Sequence, residues 1–145
     1  MVYGPGQQDL TKLIPYVTLS LLRDEVPQLT SGTRLIDWIY VEDVVQGILA
    51  MAQTENIAGC TCDIGSGTMM SIKDTVTRLV HAMGKNVLPA FGSMPDRSME
   101  QVRKADVQKT YEKIDWKPEV NLEEGLAITI DWYSNLIKTK ETGGR

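Results

Sequence analysis

The sequence predicts an α/β fold with an α+β character, in which four to five helices pack against a few short strands. Apolar residues recur at helical spacing in several segments, such as Leu13, Val17 and Leu21. Short runs rich in strand formers end in glycine turns, as residues 61–64 do before the sequence GSG. The 145 residues are 42% hydrophobic and show no internal repeat, which indicates one globular domain.

The first half of the chain is predicted to contain two helices and two extended segments. The first helix covers residues 10–23 and has Pro15 in its first turn, where proline is tolerated. Residues 28–30 and 34–41 are predicted to be extended on either side of a Ser-Gly turn. Asp43 is interpreted as the N-terminal cap of the second helix.

Capping signals predict three further helices in the second half. Ser71 and Asp74 form a capping box before the third helix, and Asp106 can cap a short fourth helix. Asn121 and Glu124 make a second capping pair before the last helix.

The connections between these helices are also assigned from the sequence. Residues 61–64 and 86–91 are predicted to be extended, and residues 92–104 to form a loop of small and charged residues. The last helix is predicted to end near residue 137. The domain therefore covers residues 1–137, and residues 138–145 are expected to be a disordered tail because their apolar content is too low to pack.

The bulk composition excludes several classes of partner. A formal net charge of −4, with lysine and arginine dispersed along the chain, argues against nucleic acid as a partner. No apolar run approaches the roughly 20 residues that cross a bilayer, and no signal-peptide pattern follows Met1, so we expect no membrane partner and a cytoplasmic location. With one histidine, His81, the two cysteines Cys60 and Cys62 are too few for a metal site, and we expect them to be buried thiols.

The segment DIGSG, residues 63–67, imitates a dinucleotide-binding loop between a strand and a helix. Met70 occupies the third glycine position of the GxGxxG pattern, and no acidic residue lies about 20 residues further on. A tight connection requires glycine in any case. We therefore assign no cofactor-binding residue here, although the N–H groups at the start of the following helix could meet an anion.

The segment PDRSMEQVRKAD, residues 95–106, has two interpretations. Its composition favours a solvated loop whose opposite charges neutralise each other. The spacing of Arg97 and Glu100 favours a ligand site, because an arginine fork can hold a diphosphate while a nearby carboxylate accepts from a sugar hydroxyl. On these residues alone both interpretations stay open.

Seven motifs occur in one order along the chain. They resemble the C-terminal part of the NAD-dependent epimerase/dehydratase family, the extended short-chain dehydrogenases that act on nucleotide-diphosphate sugars, over residues 2–137. The motifs are VYGPG (2–6), KLIP (12–15), DWIYVEDVV (37–45), DIGSG (63–67), PDR (95–97), KAD (104–106) and WKPEVNLEEGL (116–126).

The resemblance implies that the catalytic machinery lies outside this sequence. In that family a Rossmann domain binds NAD or NADP, and a Tyr-x-x-x-Lys pair with a serine or threonine performs the chemistry upstream of the motif matched by residues 2–6. No tyrosine of this sequence is followed by lysine four residues later. We therefore expect the N-terminal Rossmann domain to be missing, no catalytic or cofactor-binding residue in this chain, and no activity of the chain alone.

The resemblance also implies contacts to the nucleotide diphosphate of a sugar substrate. Arg97 matches an arginine that grips the diphosphate, and Glu100 matches an acidic residue that binds ribose hydroxyls. Family members often carry an arginine directly before the Asp-aromatic pair, where this chain has Ile36, and we expect Arg34 to take over its phosphate contact. Asp37 is then left as a structural acceptor of backbone amides.

The same resemblance assigns two further segments to the ligand. Lys12 and Leu13 match the segment beside the phosphates. Gln28, Leu29 and Thr30 match the strand that passes the base.

Two functional hypotheses follow from the resemblance. The chain is either the substrate-binding portion of an NAD(P)-dependent nucleotide-sugar epimerase or dehydratase, or a non-catalytic nucleotide-sugar binding or regulatory member of that superfamily. A chain that serves only in assembly is a third alternative. Because the partner lobe is missing, we also expect exposed apolar surface and self-association.

Overall fold

The computed structural model describes residues 1–98 and 101–142, with side chains described as far as residue 139. The described residues form six short strands and five helices. In chain order the elements are β1 (Val2–Tyr3), α1 (Leu13–Leu22), β2 (Gln28–Leu29), β3 (Leu35–Asp37), β4 (Ile39–Tyr40), α2 (Val41–Gln53), β5 (Met69–Ser71), α3 (Ile72–Ala82), β6 (Ala90–Phe91), α4 (Val107–Ile114) and α5 (Leu122–Thr142).

The strands form three separate two-stranded sheets. β1 pairs with β4 and β2 pairs with β6, both in parallel, whereas β3 and β5 pair antiparallel. Each sheet joins segments that are distant in sequence, since Val2 lies opposite Ile39 and Leu29 lies opposite Phe91. The predicted α/β class with few short strands and up to five helices is confirmed.

The main hydrophobic core lies between helices α1, α3 and α5, which contact one another. Leu21, Val76, Leu79 and Leu126 are at most 2% exposed in this core, as expected for the buried stripe of helices that pack around one centre. A smaller cluster of Ile39, Ile114 and Trp116 lies against α2 and includes part of α4.

Local capping signals predicted three helix starts correctly. The side-chain oxygens of Ser71, Asp106 and Asn121 each accept a hydrogen bond from the N–H three residues ahead, at 3.0, 3.1 and 2.9 Å. These bonds satisfy amide groups that have no partner within the first turn of a helix.

The predicted strand at residues 61–64 is wrong, because this segment pairs with no strand among the described residues. Its backbone is bound by helix α4 instead. The Asp63 N–H donates to Thr110 Oγ1 at 2.9 Å, the Thr110 hydroxyl donates to the Asp63 carbonyl at 2.9 Å, and Lys113 Nζ donates to the Thr61 carbonyl at 2.8 Å. Cys60 in the preceding turn is exposed, so the prediction that both thiols are buried is also wrong.

The prediction that Asp43 caps α2 is wrong as well. The helix begins two residues earlier, at Val41, and no side chain caps it. Asp43 is buried and accepts hydrogen bonds from the N–H groups of Glu119 and Val120, at 3.0 and 3.2 Å. Its carboxylate therefore fixes the segment that leads into α5.

The outer face of α2 is apolar. Val45, Ile48 and Leu49 are 47%, 53% and 47% exposed. Within the described part of the chain, no helix has the length and apolar character that crossing a membrane requires. At the C-terminal end, where the sequence predicts a disordered tail from residue 138, α5 continues to Thr142, and residues 143–145 lie outside the described residues.

Candidate functional site

Two hydrogen bonds attach the loop that carries Arg97 to the segment that carries Arg34. The Ser31 N–H donates to Asp96 Oδ1 at 3.0 Å, and Arg34 Nη2 donates to the Gln101 carbonyl at 3.4 Å. The loop therefore departs from and returns to one side of the molecule, beside residues 31–34. Glu100, the expected ribose contact, lies outside the described residues.

Strand β2 borders the start of the same loop. The Gly92 N–H donates to the Thr30 carbonyl at 3.0 Å, and the Leu29 N–H donates to Ser93 Oγ at 3.2 Å. Leu29 is only 5% exposed and belongs to the main core, so its side chain faces away from any ligand, whereas Gln28 is exposed. In the segment 28–30, the side chains of Gln28 and Thr30 thus remain accessible.

Lys12 and Leu13 lie at the start of helix α1. Lys12 is exposed and pairs with Asp9 at 3.6 Å between Nζ and Oδ2, a surface ion pair that contributes little to stability. Within the described part of the chain, no hydrogen bond or ion pair joins Lys12 or Leu13 to residues 92–98. The contacts of the structure bring Gln28, Leu29, Thr30, Arg34 and Arg97 into one region and do not connect Lys12 or Leu13 to it.

Asp37 is a structural acceptor, as predicted. Its carboxylate is 5% exposed and accepts four hydrogen bonds, from the Ser66 N–H and hydroxyl at 2.8 and 2.7 Å, the Gly67 N–H at 3.1 Å and the Ala105 N–H at 2.9 Å. A Cβ atom at Gly65 would lie 2.9 Å from Asp37 Oδ2. The glycines of the DIGSG segment therefore let its turn close around a carboxylate of the protein.

Residues 36–40 do not alternate between a buried and an exposed face, as a strand with one covered side would. Ile36, Asp37, Trp38, Ile39 and Tyr40 are all at most 5% exposed. The segment changes partner at Trp38, since β3 pairs with β5 and β4 pairs with β1, and both sides of it are covered. The indole N–H of Trp38 donates to Thr75 Oγ1 at 3.0 Å, which satisfies the one polar atom of this buried side chain.

Three buried tyrosines serve the core and not the ligand region. Burial raises the pKa of Tyr3, Tyr40 and Tyr133 above the usual tyrosine value, and nearby acidic charges, Asp43 and Glu124 among them, raise the pKa of Tyr3 and Tyr40 further. The Tyr133 hydroxyl donates to the Gln7 carbonyl at 3.1 Å. These phenols are held protonated in the fold.

An open pocket of about 440 Å³ lies between the DIGSG turn and the KAD segment. Its wall includes Met1, Asp37, Asp63, Arg103 and Lys104. Arg103 and Lys104 belong to the charged segment 95–106, and no contact of their own was predicted for either residue. Within the described residues, no group of three or more potential metal ligands is present.

Arg103 is held by a neutral side chain. Its Nε and Nη2 atoms both donate to Gln101 Oε1, at 3.1 and 2.6 Å. No ion pair joins Arg103 or Lys104 to a carboxylate within residues 1–98 and 101–139, whereas Arg78, Lys12 and Lys85 each have one.

Comparison with known proteins relates the chain to one family. Residues 1–65 match the Epimerase family, described as the NAD dependent epimerase/dehydratase family. A dTDP-glucose 4,6-dehydratase of Streptomyces griseus is 35% identical over 136 residues, which are 90% of this chain and 40% of that protein. A UDP-N-acetyl-alpha-D-glucosaminuronate decarboxylase of Bacillus cytotoxicus is 29% identical over 143 residues, 93% of this chain and 44% of that protein. The chain thus spans about two fifths of the length of these curated relatives.

Solved structures have the same fold over most of the chain. The UDP-glucose 4-epimerase of Thermotoga maritima, solved with UDP-glucose, is 28% identical with a TM-score of 0.84. The match covers 94% of this chain and 44% of the epimerase chain. The UDP-glucuronic acid 4-epimerase of Bacillus cereus, solved with UDP-glucuronic acid and NAD, is 27% identical with a TM-score of 0.84 and covers 94% and 43%. These relatives are nucleotide-sugar enzymes, and the second of them binds NAD.

Proposed function

We propose that this chain, a member of the NAD-dependent epimerase/dehydratase family, binds the nucleotide diphosphate of a nucleotide-sugar substrate. We further propose that this binding serves an NAD-dependent epimerisation or dehydration of the sugar, in which the cofactor supplies the hydride chemistry when it is bound. Because this chain spans about two fifths of its curated relatives, binding and orientation of the substrate are the part of the reaction that we assign to it.

The observation that supports this proposal is the attachment of the 96–101 loop to the segment that carries Arg34. The bonds from Ser31 to Asp96 and from Arg34 to Gln101 hold Arg97 in a loop that starts and ends beside Arg34. Two arginine residues in neighbouring segments suit a diphosphate, because each guanidinium group can donate two hydrogen bonds to phosphate oxygens.

Two acidic residues of the segment 95–106 are bound to backbone amides. Asp96 accepts from the Ser31 N–H, and Asp106 accepts from the Lys109 N–H at the start of α4. Both carboxylates are engaged by backbone amides and so are placed to shape the loop. Asp96 and Asp106 thus serve the backbone of the segment, and we take the ligand interpretation of residues 95–106 as the proposal.

Calorimetry with UDP-glucose and dTDP-glucose tests the proposal. We expect Arg34→Met and Arg97→Met each to weaken binding at least tenfold, about 1.4 kcal/mol, because each removes a charge-assisted contact to phosphate. Arg23→Met is the matched control, since Arg23 is exposed at the opposite end of α1 from Lys12. Unchanged affinity in both variants, or no binding by the unaltered chain, would contradict the proposal.

A further inference from the structure

We infer that Arg103 is a further ligand-binding residue and that Gln101 positions it, so that the site favours a nucleotide sugar whose sugar ring carries a carboxylate. The inference rests on the proposed function and extends it from the diphosphate to the sugar. It stands on the contacts of Gln101, on the charges near Arg103 and on the pocket that Arg103 borders.

Gln101 joins two arginines through different atoms. Its backbone carbonyl accepts from Arg34 Nη2 at 3.4 Å, and its side-chain oxygen accepts from Nε and Nη2 of Arg103. The side chains of Arg34 and Arg103 thus both contact Gln101. Because the amide of Gln101 is neutral, it fixes the orientation of the Arg103 guanidinium without cancelling its charge.

The carboxylates near Arg103 are bound to backbone amides. Asp37 accepts four hydrogen bonds, Asp63 Oδ2 accepts from the Asp106 N–H at 3.2 Å, and Asp106 caps α4. No described carboxylate lies within ion-pair distance of Arg103 or the neighbouring Lys104. An anionic ligand group would supply a partner that the described residues do not provide.

The pocket beside Arg103 has a suitable place and size. Arg103 and Lys104 line the cavity of about 440 Å³ together with the Met1 amino group, so its cationic groups outnumber the carboxylates of Asp37 and Asp63 that also border it. This volume lies within the usual range for small-molecule sites. Burial lowers the pKa of the Met1 amino group at the pocket wall. The Asp37 charge opposes this change, and the Arg34 charge adds to it. The effect of Arg34 agrees with its position near the same pocket.

Because Gln101 contacts both Arg34 and Arg103, we place the sugar of a ligand whose diphosphate lies against Arg34 and Arg97 beside Arg103 and Lys104. A ring carboxylate at this end meets an arginine fork and a lysine. A neutral hydroxymethyl group at the same position would gain no such charge-assisted bond. The selectivity is thus a difference in affinity between two ligands that share the nucleotide and the diphosphate.

Equilibrium binding of UDP-glucuronic acid and UDP-glucose tests the inference. We expect the unaltered chain to prefer UDP-glucuronic acid about tenfold, the size of one charge-assisted bond, and Arg103→Met to remove this preference while UDP-glucose binds within about twofold of its original affinity. Gln101→Glu should also remove the preference, because a carboxylate at this position pairs with Arg103. Arg23→Met, with its exposed arginine, is the control.

The outcomes separate the inference from the proposed function. Binding of both sugars with equal affinity, unchanged in Arg103→Met, would overturn the role of Arg103 and leave the diphosphate site standing. An equal loss for both sugars in Arg103→Met would place Arg103 at the diphosphate and overturn the selectivity. No binding of UDP-glucose by the unaltered chain would overturn the proposed function and the inference together. Thermal unfolding of each variant confirms that an altered affinity does not arise from misfolding.

Discussion

The Ala105 N–H donates a hydrogen bond of 2.9 Å to Asp37 Oδ2, across 68 residues of sequence. The same carboxylate accepts from Ser66 and Gly67. One buried side chain therefore gathers strand β3, the DIGSG turn and the segment that follows Arg103. The position of the Arg103 backbone depends on this carboxylate.

Asp37→Asn should lower the free energy of unfolding by about 3 kcal/mol, because an amide cannot accept from all four donors and leaves buried N–H groups without a partner. Urea unfolding measures the change. Asp63→Asn is the control: Asp63 is exposed and accepts one backbone bond, so we expect a loss below about 1 kcal/mol. Equal losses in the two variants would show that Asp37 is not the organising residue.

Gly125→Ala should destabilise the protein although alanine is the better helix former. Helix propensity favours alanine over glycine by about 1 kcal/mol in a helix interior. A Cβ atom at Gly125 would lie 2.1 Å from the hydroxyl oxygen of Tyr3, however, and such overpacking costs about 1–3 kcal/mol.

A double-mutant cycle with Tyr3→Ala separates these two effects on Gly125. In the Tyr3→Ala background the steric conflict is absent, so Gly125→Ala should stabilise the chain by up to about 1 kcal/mol. The same destabilisation in both backgrounds would contradict the packing explanation.

Stability should fall at alkaline pH because of the buried tyrosines. Their pKa values are raised in the fold, so the unfolded chain releases the phenolic protons first and binds fewer protons than the folded chain above about pH 10. The stabilisation that these phenols contribute is therefore fully present below about pH 10, and the free energy of unfolding decreases as the pH rises above that value. Chemical unfolding at pH 8 and pH 10.5 measures the decrease.

Replacement of one phenol tests the origin of this pH dependence. Tyr133→Phe removes one group with a raised pKa and should reduce the slope of stability against pH. Tyr111→Phe alters an exposed tyrosine and serves as the control. An unchanged slope in Tyr133→Phe would show that other groups cause the alkaline loss.

Self-association should proceed through the outer face of α2, where Val45, Ile48 and Leu49 are about half exposed. Ile48→Lys places a charge in the centre of this face and should shift the chain toward the monomer in sedimentation velocity experiments. Gln46→Lys introduces the same charge at an exposed position on the same helix and should have little effect. A monomeric unaltered chain at high concentration would contradict this prediction.

Local signals predicted the helices, and contacts across the fold explain the errors. Ser71, Asp106 and Asn121 each accept a hydrogen bond from the backbone N–H three residues later. A short stretch of sequence therefore contains both the donor and the acceptor. Asp43 has the same local pattern, yet its partners are the N–H groups of residues 119 and 120. Nothing near Asp43 in the sequence indicates them.

The candidate site shows the same division. The resemblance of motifs indicated Arg97 and Arg34 as ligand contacts, which remain proposals, and it gave Asp37 the structural role that the structure confirms. Arg103 was recognised only as one charge of residues 95–106, and no role was predicted for Gln101, because their contact depends on how the 96–101 loop returns to the segment of Arg34. The spacing of residues along the sequence does not indicate the contact between Arg34 and Gln101, which are 67 residues apart.

The three small sheets have a kinetic consequence. Each one pairs strands that are far apart along the chain, as β2 and β6 are, so a long loop must be closed before any ladder forms. Closing such long loops costs entropy early in the search and slows the search itself. Helices α1 to α5 can form transiently within microseconds, but the ladders that fix their connecting segments close later. Refolding should therefore be slow for a chain of this helix content, and the ribosome must release most of the polypeptide before the native topology is within reach.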